Sequence, residues 1–280
     1  MRRIKFRKPY KLKNYRFGLV ALVLVLSIIG ILVVGSANES YQSKQIFGVV
    51  IGLVVMAIVS LIDYVWITNF YWILYGMSVF MLAIVLIPGI GVYVNGARRW
   101  INLGFTNFQP SELAKILLII FFAKFIMKHK EDLSEKQTIL KAVVLIAIPL
   151  VLILKEPNLS TTICTATLFC FLMYVGGLSY RFIGTVLLIT IPVAVIFLSI
   201  VVQPNQKLLD NYQQKRILAW LEPEKYASDE AYQQNNSVMA IGSGQLTGKG
   251  LNNNTTTSVK NGNFILEPQT DFIFAIVGEE

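Results

Sequence analysis

Charge is the first thing this sequence is short of. Asp, Glu, Lys and Arg make up 15% of its 280 residues, where soluble domains carry about 25%. That shortage excludes an ordinary soluble globular chain. Histidine is scarcer still. His129 stands alone in a K-H-K-E-D turn, which excludes a histidine-built metal cluster and leaves a Ser–His–Asp triad without support. The two cysteines, Cys164 and Cys170, lie six residues apart in one apolar run, a spacing that keeps them from bridging on a helix. They are expected to be small core hydrophobes. Acids are missing altogether from the opening M-R-R-I-K-F-R-K-P-Y-K-L-K-N-Y-R, which is dense in Lys and Arg. Several apolar runs follow it. The opening is therefore a cytoplasmic flank under the positive-inside rule, neither a cleaved signal peptide nor a nucleic-acid-binding arm.

What the chain has in abundance is apolar sequence: 55% of it is hydrophobic. Runs long enough to cross a bilayer are expected over about residues 17–35, 46–67, 71–92, 110–127, 140–154, 160–175 and 182–202. Trp66, Tyr71 and Trp72 cluster where an aromatic belt belongs. Asp63 falls near the inner end of the second run, within reach of the interface. With the N-terminus inside, residues 203–270 form one long extracytoplasmic segment rich in Asn, Gln, Thr and Gly. Long loops translocate largely regardless of their charge. An eighth span opens at Asp271, and from there to Glu280 a helix measures only about 15 Å, half of a bilayer core. Further spans are expected to follow. The fold class is all-α: a polytopic transmembrane helix bundle forming a single integral membrane domain over residues 1–280.

Two outer segments carry chemistry. The first is Y-V-N-G-A-R-R-W-I-N-L-G-F-T-N-F-Q-P-S-E-L-A-K, residues 93–115. Adjacent arginines on a short outer loop, Arg98 and Arg99, run against the positive-inside bias. Pro110 suits the first turn of a helix, and Glu112 and Lys115, three apart, share a face there. That pair is either a ligand site or a self-neutralising ion pair. The second segment is E-P-Q-T-D-F-I-F-A-I-V-G-E-E, residues 267–280. Asp271 sits at its polar–apolar junction, where a carboxylate is costly to desolvate and is a functional candidate. A helix-dipole partner is the plainer reading. Cations together with one carboxylate at the membrane surface suit transfer from a lipid-linked pyrophosphate: the cations hold the leaving group and the carboxylate takes a proton. By contrast, G-S-G-Q-L-T-G-K-G (residues 242–250) fails as a P-loop. Thr247 stands where the second Gly belongs and Gly250 where Ser or Thr follows the Lys.

The chain resembles the SEDS proteins (shape, elongation, division and sporulation) of the RodA and FtsW type. The resemblance rests on G-A-R-R-W-I-N-L-G with Q-P-S-E-L-A-K, on K-E-P-N-L-S-T-T, on Q-N-N-S-V-M-A-I-G-S-G-Q-L-T-G-K-G and on T-D-F-I-F-A-I-V-G-E-E, in that order. It implies about ten spans with both ends inside, of which about eight are present here. It implies peptidoglycan glycosyltransfer, polymerising lipid II on the outer face of the bacterial cytoplasmic membrane, with a class B penicillin-binding protein as partner. The other ligand would be the undecaprenyl-linked glycan, and a divalent cation is a conceivable cofactor. The T-D-F aspartate maps onto Asp271 as the catalytic residue. Arg99 and Trp100 map onto the arginine and tryptophan of the family's G-A-R-R-W, and Glu112 and Lys115 onto its polar pair; Arg98, Gln109 and Lys155 are further substrate-binding candidates. Two departures stand out. Where the family pattern has Q-P-D-L-G-T this chain has Asn158 in E-P-N-L-S-T, so a charge is lost there. Where it has L-P-E-x-H-T-D-F this chain reads I-L-E-P-Q-T-D-F, which weakens Glu267 as a site residue. A lipid II flippase and a non-enzymatic morphogenesis scaffold are the competing classes. The flippase would call for an alternating-access path, commonly built from inverted repeats, and none is visible in the sequence.

Overall fold

The computed structural model describes residues 15–94, 97–104, 107–203, 206, 211–222, 224–226, 232–253, 255, 258, 261–262 and 264–280. The basic opening up to residue 14 and Gly96 of G-A-R-R-W lie outside them, as do parts of the 203–270 segment. Helices dominate. They are α1 Phe17–Ala37, α2 Glu39–Ser60, α3 Tyr64–Asn69, α4 Tyr71–Ile84, α5 Pro110–Lys128, α6 Lys136–Lys155, α7 Leu159–Val175, α8 Tyr180–Val201, α9 Asn211–Leu221, α10 Tyr232–Gly244 and α11 Ile273–Glu279. Among the described residues α1, α2, α6 and α8 are long and apolar enough to cross a membrane, and α4 and α7 are shorter apolar helices. The chain is a polytopic helical membrane protein. α1 shows why: its apolar residues surround the axis and only Val33 among them is buried, as suits a helix solvated by lipid on most sides.

Four expectations are corrected. The second apolar run does not continue to residue 67. α2 ends at Ser60, and Asp63 starts the separate α3, its carboxylate accepting the Val65 N–H at 2.9 Å. A side-chain acceptor at that position satisfies a first-turn donor and so favours a new helix start. The segment before Lys115 is not a plain loop. It forms a three-stranded antiparallel sheet, β1 Gly91–Val94, β2 Ala97–Asn102 and β3 Asn107–Phe108, in the order β1-β2-β3. The signal was present in the sequence: V-Y-V precedes and A-R-R-W-I follows Asn95-Gly96, a dipeptide that favours hairpins. The polar 203–270 stretch carries two helices, α9 and α10. Cys164 and Cys170 are exposed on α7 and are not core residues.

Two compact units make up the chain, one of Met1–Val59 with Leu198–Glu280 and one of Ser60–Phe197. The core of the second is aromatic. Phe121 of α5 packs on Tyr75 and Tyr71 of α4 with ring centroids 4.6 and 5.7 Å apart, and Phe122 meets Phe169 of α7 at 4.9 Å. Ile139, Ala142 and Ile146 bring α6 into the same cluster. Pro149 interrupts α6, and a proline has no N–H for the carbonyl four residues back. Tyr75 supplies the missing donor, its hydroxyl bonding the Leu145 carbonyl at 2.9 Å. A smaller cluster of Leu82, Ala114 and Ile153 ties together α4, the start of α5 and the end of α6. Gly91 opens the sheet where the chain passes the end of α4 so closely that a Cβ would meet the Val85 carbonyl oxygen at 1.9 Å. Together these fix the platform that carries the arginines.

Candidate active site

Arg98 and Arg99 leave β2 in different company because the strand is irregular. Val92 pairs with Trp100 and Tyr93 with Arg98, so Arg99 is the extra residue of a β-bulge. A bulge re-aims its side chain. Arg98 lies over the Tyr93 ring, 5.9 Å from its centroid, in a cation–π contact. Arg99 turns to the α6–α7 junction, its Nε donating to the Glu156 carbonyl at 3.0 Å and its Nη2 to the Pro157 carbonyl. Two of its five N–H donors are thus committed to backbone, and the guanidinium is held rather than free. Trp100 is half-buried beside it.

The first turn of α5 lies next in the chain. Gln109 is extended at the N-cap, Pro110 fills the first helical position and Gln109 Nε2 donates to the buried Ser111 hydroxyl at 3.0 Å. Lys115 Nζ meets Glu112 Oε1 at 2.9 Å. The ion pair expected at that spacing is therefore formed, with Glu112 exposed and Lys115 partly covered. Exposed pairs of this kind contribute about 0–1 kcal/mol, so folding alone gives little reason for it.

K-E-P-N-L-S-T-T is a helix–helix corner. Lys155 ends α6, exposed, where a cation complements the helix dipole. Glu156 caps α6, its N–H bonding the Ile153 and Leu152 carbonyls at 3.1 and 3.3 Å. Asn158 caps α7, its side-chain oxygen accepting the Thr161 N–H at 3.2 Å. Asn158 thus serves locally as a cap, a role that needs an acceptor but no charge. The acid of this corner is Glu156, absent from the sequence-based candidates. Its side chain is wholly buried, and neither carboxyl oxygen has a hydrogen-bond partner. Burial pushes its carboxyl up to about 8, while the Arg99 guanidinium pulls the other way. At neutral pH it is therefore protonated. The signal in the sequence was an acid, Glu156, placed between the apolar run of α6 and Pro157.

Asp271 belongs to the other unit. It is exposed, one residue before the N-cap Phe272 of α11. Among the described residues its carboxylate has no side-chain partner. The turn ahead of it is held by Thr270, whose N–H and hydroxyl both donate to the Glu267 carbonyl at 3.1 Å. Glu267 is exposed there, with a backbone φ of 50°. α11 is anchored on α10, where Gly244 passes the Gly278 carbonyl so closely that a Cβ would sit 1.9 Å from its oxygen. Lys249, the residue a P-loop would aim at phosphate, instead pairs with the buried Glu279 at 2.8 Å. Ser258 donates to the other oxygen of that carboxylate at 3.3 Å. Glu280 accepts from Ser36 of α1 at 2.6 Å. Among the described residues no three His, Cys, Asp or Glu side chains come together to hold a metal.

The profile of the FtsW, RodA and SpoVE cell cycle proteins matches residues 11–280. The chain belongs to this family. Peptidoglycan glycosyltransferase MrdB of Escherichia coli K12 is 32% identical over 270 residues, covering 94% of this chain and 68% of its own length. A probable peptidoglycan glycosyltransferase FtsW from Saccharophagus degradans is 35% identical over 281 residues, with the same two coverages. Among solved structures, a chain of a peptidoglycan synthase complex studied for polymerization and crosslinking superposes with a TM-score of 0.72. It is 24% identical, and the match covers 95% of this chain and 71% of that one. Thermus thermophilus RodA gives 0.56 at 22% identity, covering 96% and 82%. These last two likenesses establish that the FtsW/RodA/SpoVE fold is shared.

Proposed function

We propose that this chain is a peptidoglycan glycosyltransferase that polymerises lipid II at the outer face of a bacterial cytoplasmic membrane. The observation that carries the reading is the 270-residue match to a glycosyltransferase of its own family. The topology that goes with it has the N-terminus in the cytoplasm and residues 203–270 outside, within one integral membrane domain. A class B penicillin-binding protein is the partner that cross-links the product.

In this reaction Asp271 is the general base. Its carboxylate takes the proton of the sugar 4-hydroxyl of the acceptor lipid II. The freed oxygen attacks the anomeric carbon of the growing chain's terminal sugar from the face opposite the leaving group. The bond from that carbon to the pyrophosphate oxygen breaks, its electron pair leaves with undecaprenyl pyrophosphate, and the configuration inverts. Asp271 is exposed and its carboxylate meets no side chain among the described residues, which supports the base role, since proton transfer needs an acceptor not already committed. Arg99 and Lys115 hold the departing pyrophosphate, where preorganised cations act on developing charge. Arg98, Trp100, Gln109, Glu112 and Lys155 complete the surface that receives the headgroup.

The test is incubation of the full-length protein and its class B partner with lipid II, followed by separation of glycan polymer on a gel. Wild type is expected to make polymer. Asp271→Asn keeps shape and polarity but removes the base, and is expected to be about 10²–10⁴-fold slower. Polymerisation by that variant at the wild-type rate rejects the assignment. Absence of polymer together with translocation of lipid II across vesicles points to the transporter class.

A further inference from the structure

Glu156 is a fully buried acid that the reaction above does not use. Both its carboxyl oxygens lie without hydrogen-bond partners, and burying a polar group unsatisfied is costly. Its own backbone carbonyl, and that of Pro157, grip the Arg99 guanidinium. One residue therefore accepts a hydrogen bond from Arg99 at its main-chain carbonyl and acts on the same guanidinium by charge from its side chain. We propose that Glu156 is a positioning residue for Arg99, its buried carboxyl setting how much of the guanidinium's charge reaches the pyrophosphate of the lipid-linked substrate. The proposal rests on the glycosyltransfer reading.

With Glu156 protonated, Arg99 keeps its full charge, and three N–H donors remain for an anion. With Glu156 ionised, a carboxylate in a poorly screened setting competes for that charge. An arriving pyrophosphate in turn favours the protonated acid, so anion binding takes up a proton wherever Glu156 was ionised. The other charged groups nearby are already engaged or exposed. Arg98 lies on the Tyr93 ring and Lys115 pairs with Glu112. Lys155 on the same helix is exposed. α4 carries two titratable side chains, Tyr71, which accepts from Lys128, and Tyr75, bonded to the Leu145 carbonyl. The first turn of α7 presents Asn158, Ser160, Thr161 and Thr162, none of which titrates. Arg99 is the charge that acts on Glu156.

The experiment measures the affinity of undecaprenyl pyrophosphate for full-length wild type and Glu156→Gln, both with the class B partner, from pH 6.5 to pH 9. The glutamine variant reports the titration of the probe itself. The ratio of wild-type Kd to variant Kd is expected to be smallest at pH 6.5 and to rise with pH. It reaches up to about tenfold at pH 9, one unit above the point where Glu156 loses its proton. A ratio that stays constant across the range overturns the proposal, since a purely structural role for Glu156 has no reason to follow pH. If Glu156→Gln does not fold, Glu156→Met removes the acid with similar volume and is judged by the same ratio. Polymerisation of lipid II is assayed on the same preparations. A flat ratio with active wild type rejects only the role of Glu156, whereas inactive wild type rejects the glycosyltransfer reading.

Discussion

At the scale of single residues, neighbours in sequence turn out to have different surroundings. Arg98 and Arg99 are adjacent, yet the bulge sends one to an aromatic ring and the other to two carbonyls of a helix corner. Motif reading can name both but cannot rank them, because a bulge depends on strand register. Glu156 and Asn158 show the same limit from another side. Asn158 in E-P-N reads as a lost charge, whereas the fold buries the neighbouring acid and uses the asparagine as a cap. A stability prediction follows from that burial. Between its ordinary value of 4.5 and about 8, the folded chain holds a proton on Glu156 that the unfolded chain has released. The folded state binds more protons there, so stability falls as pH rises through the window. Glu156→Gln carries no such proton. Its thermal midpoint should exceed that of wild type by a margin that widens from pH 5 to pH 8 and then levels off. Equal margins at pH 5 and pH 8 would contradict a buried, neutral Glu156.

At the scale of elements, apolar run length located α1, α5, α6, α7 and α8 to within a few residues of where they lie. It did so because a bilayer sets the length of the helix that crosses it. The same rule is blind to structure outside the bilayer, and it passed over the sheet of residues 91–108 and helices α9 and α10. It also could not show how a span tolerates a proline. The Pro149 gap in α6 is closed from another helix, by the Tyr75 hydroxyl on the Leu145 carbonyl. Tyr75→Phe should cost about 1–3 kcal/mol by leaving that carbonyl without a donor. Adding Pro149→Ala should recover part of the loss by restoring the helix's own N–H. Unfolding of the purified proteins by denaturant checks both. An unchanged midpoint for Tyr75→Phe would mean that water or the helix itself already serves the carbonyl.

At the scale of the whole molecule, the proposed topology is open to a direct test. In a background where Cys164 and Cys170 are replaced by alanine, Lys130→Cys should react with a membrane-impermeant thiol reagent only after cells are opened. Gln269→Cys should react on intact cells. The reverse pattern would put Asp271 on the cytoplasmic side and end the polymerase account. Membrane residence, the approximate spans and the family were all legible in the amino-acid sequence. Each depends on local quantities: the transfer of one segment into lipid, the bias of lysine and arginine near its ends, short motifs in a set order. Which side chains share a space was not legible. Arg99 meets the Glu156 carbonyl across 57 positions and Lys249 meets Glu279 across 30. A carboxyl becomes neutral, or a lysine is spent on an ion pair, only when other elements close over it and exclude water. That covering belongs to the tertiary structure alone.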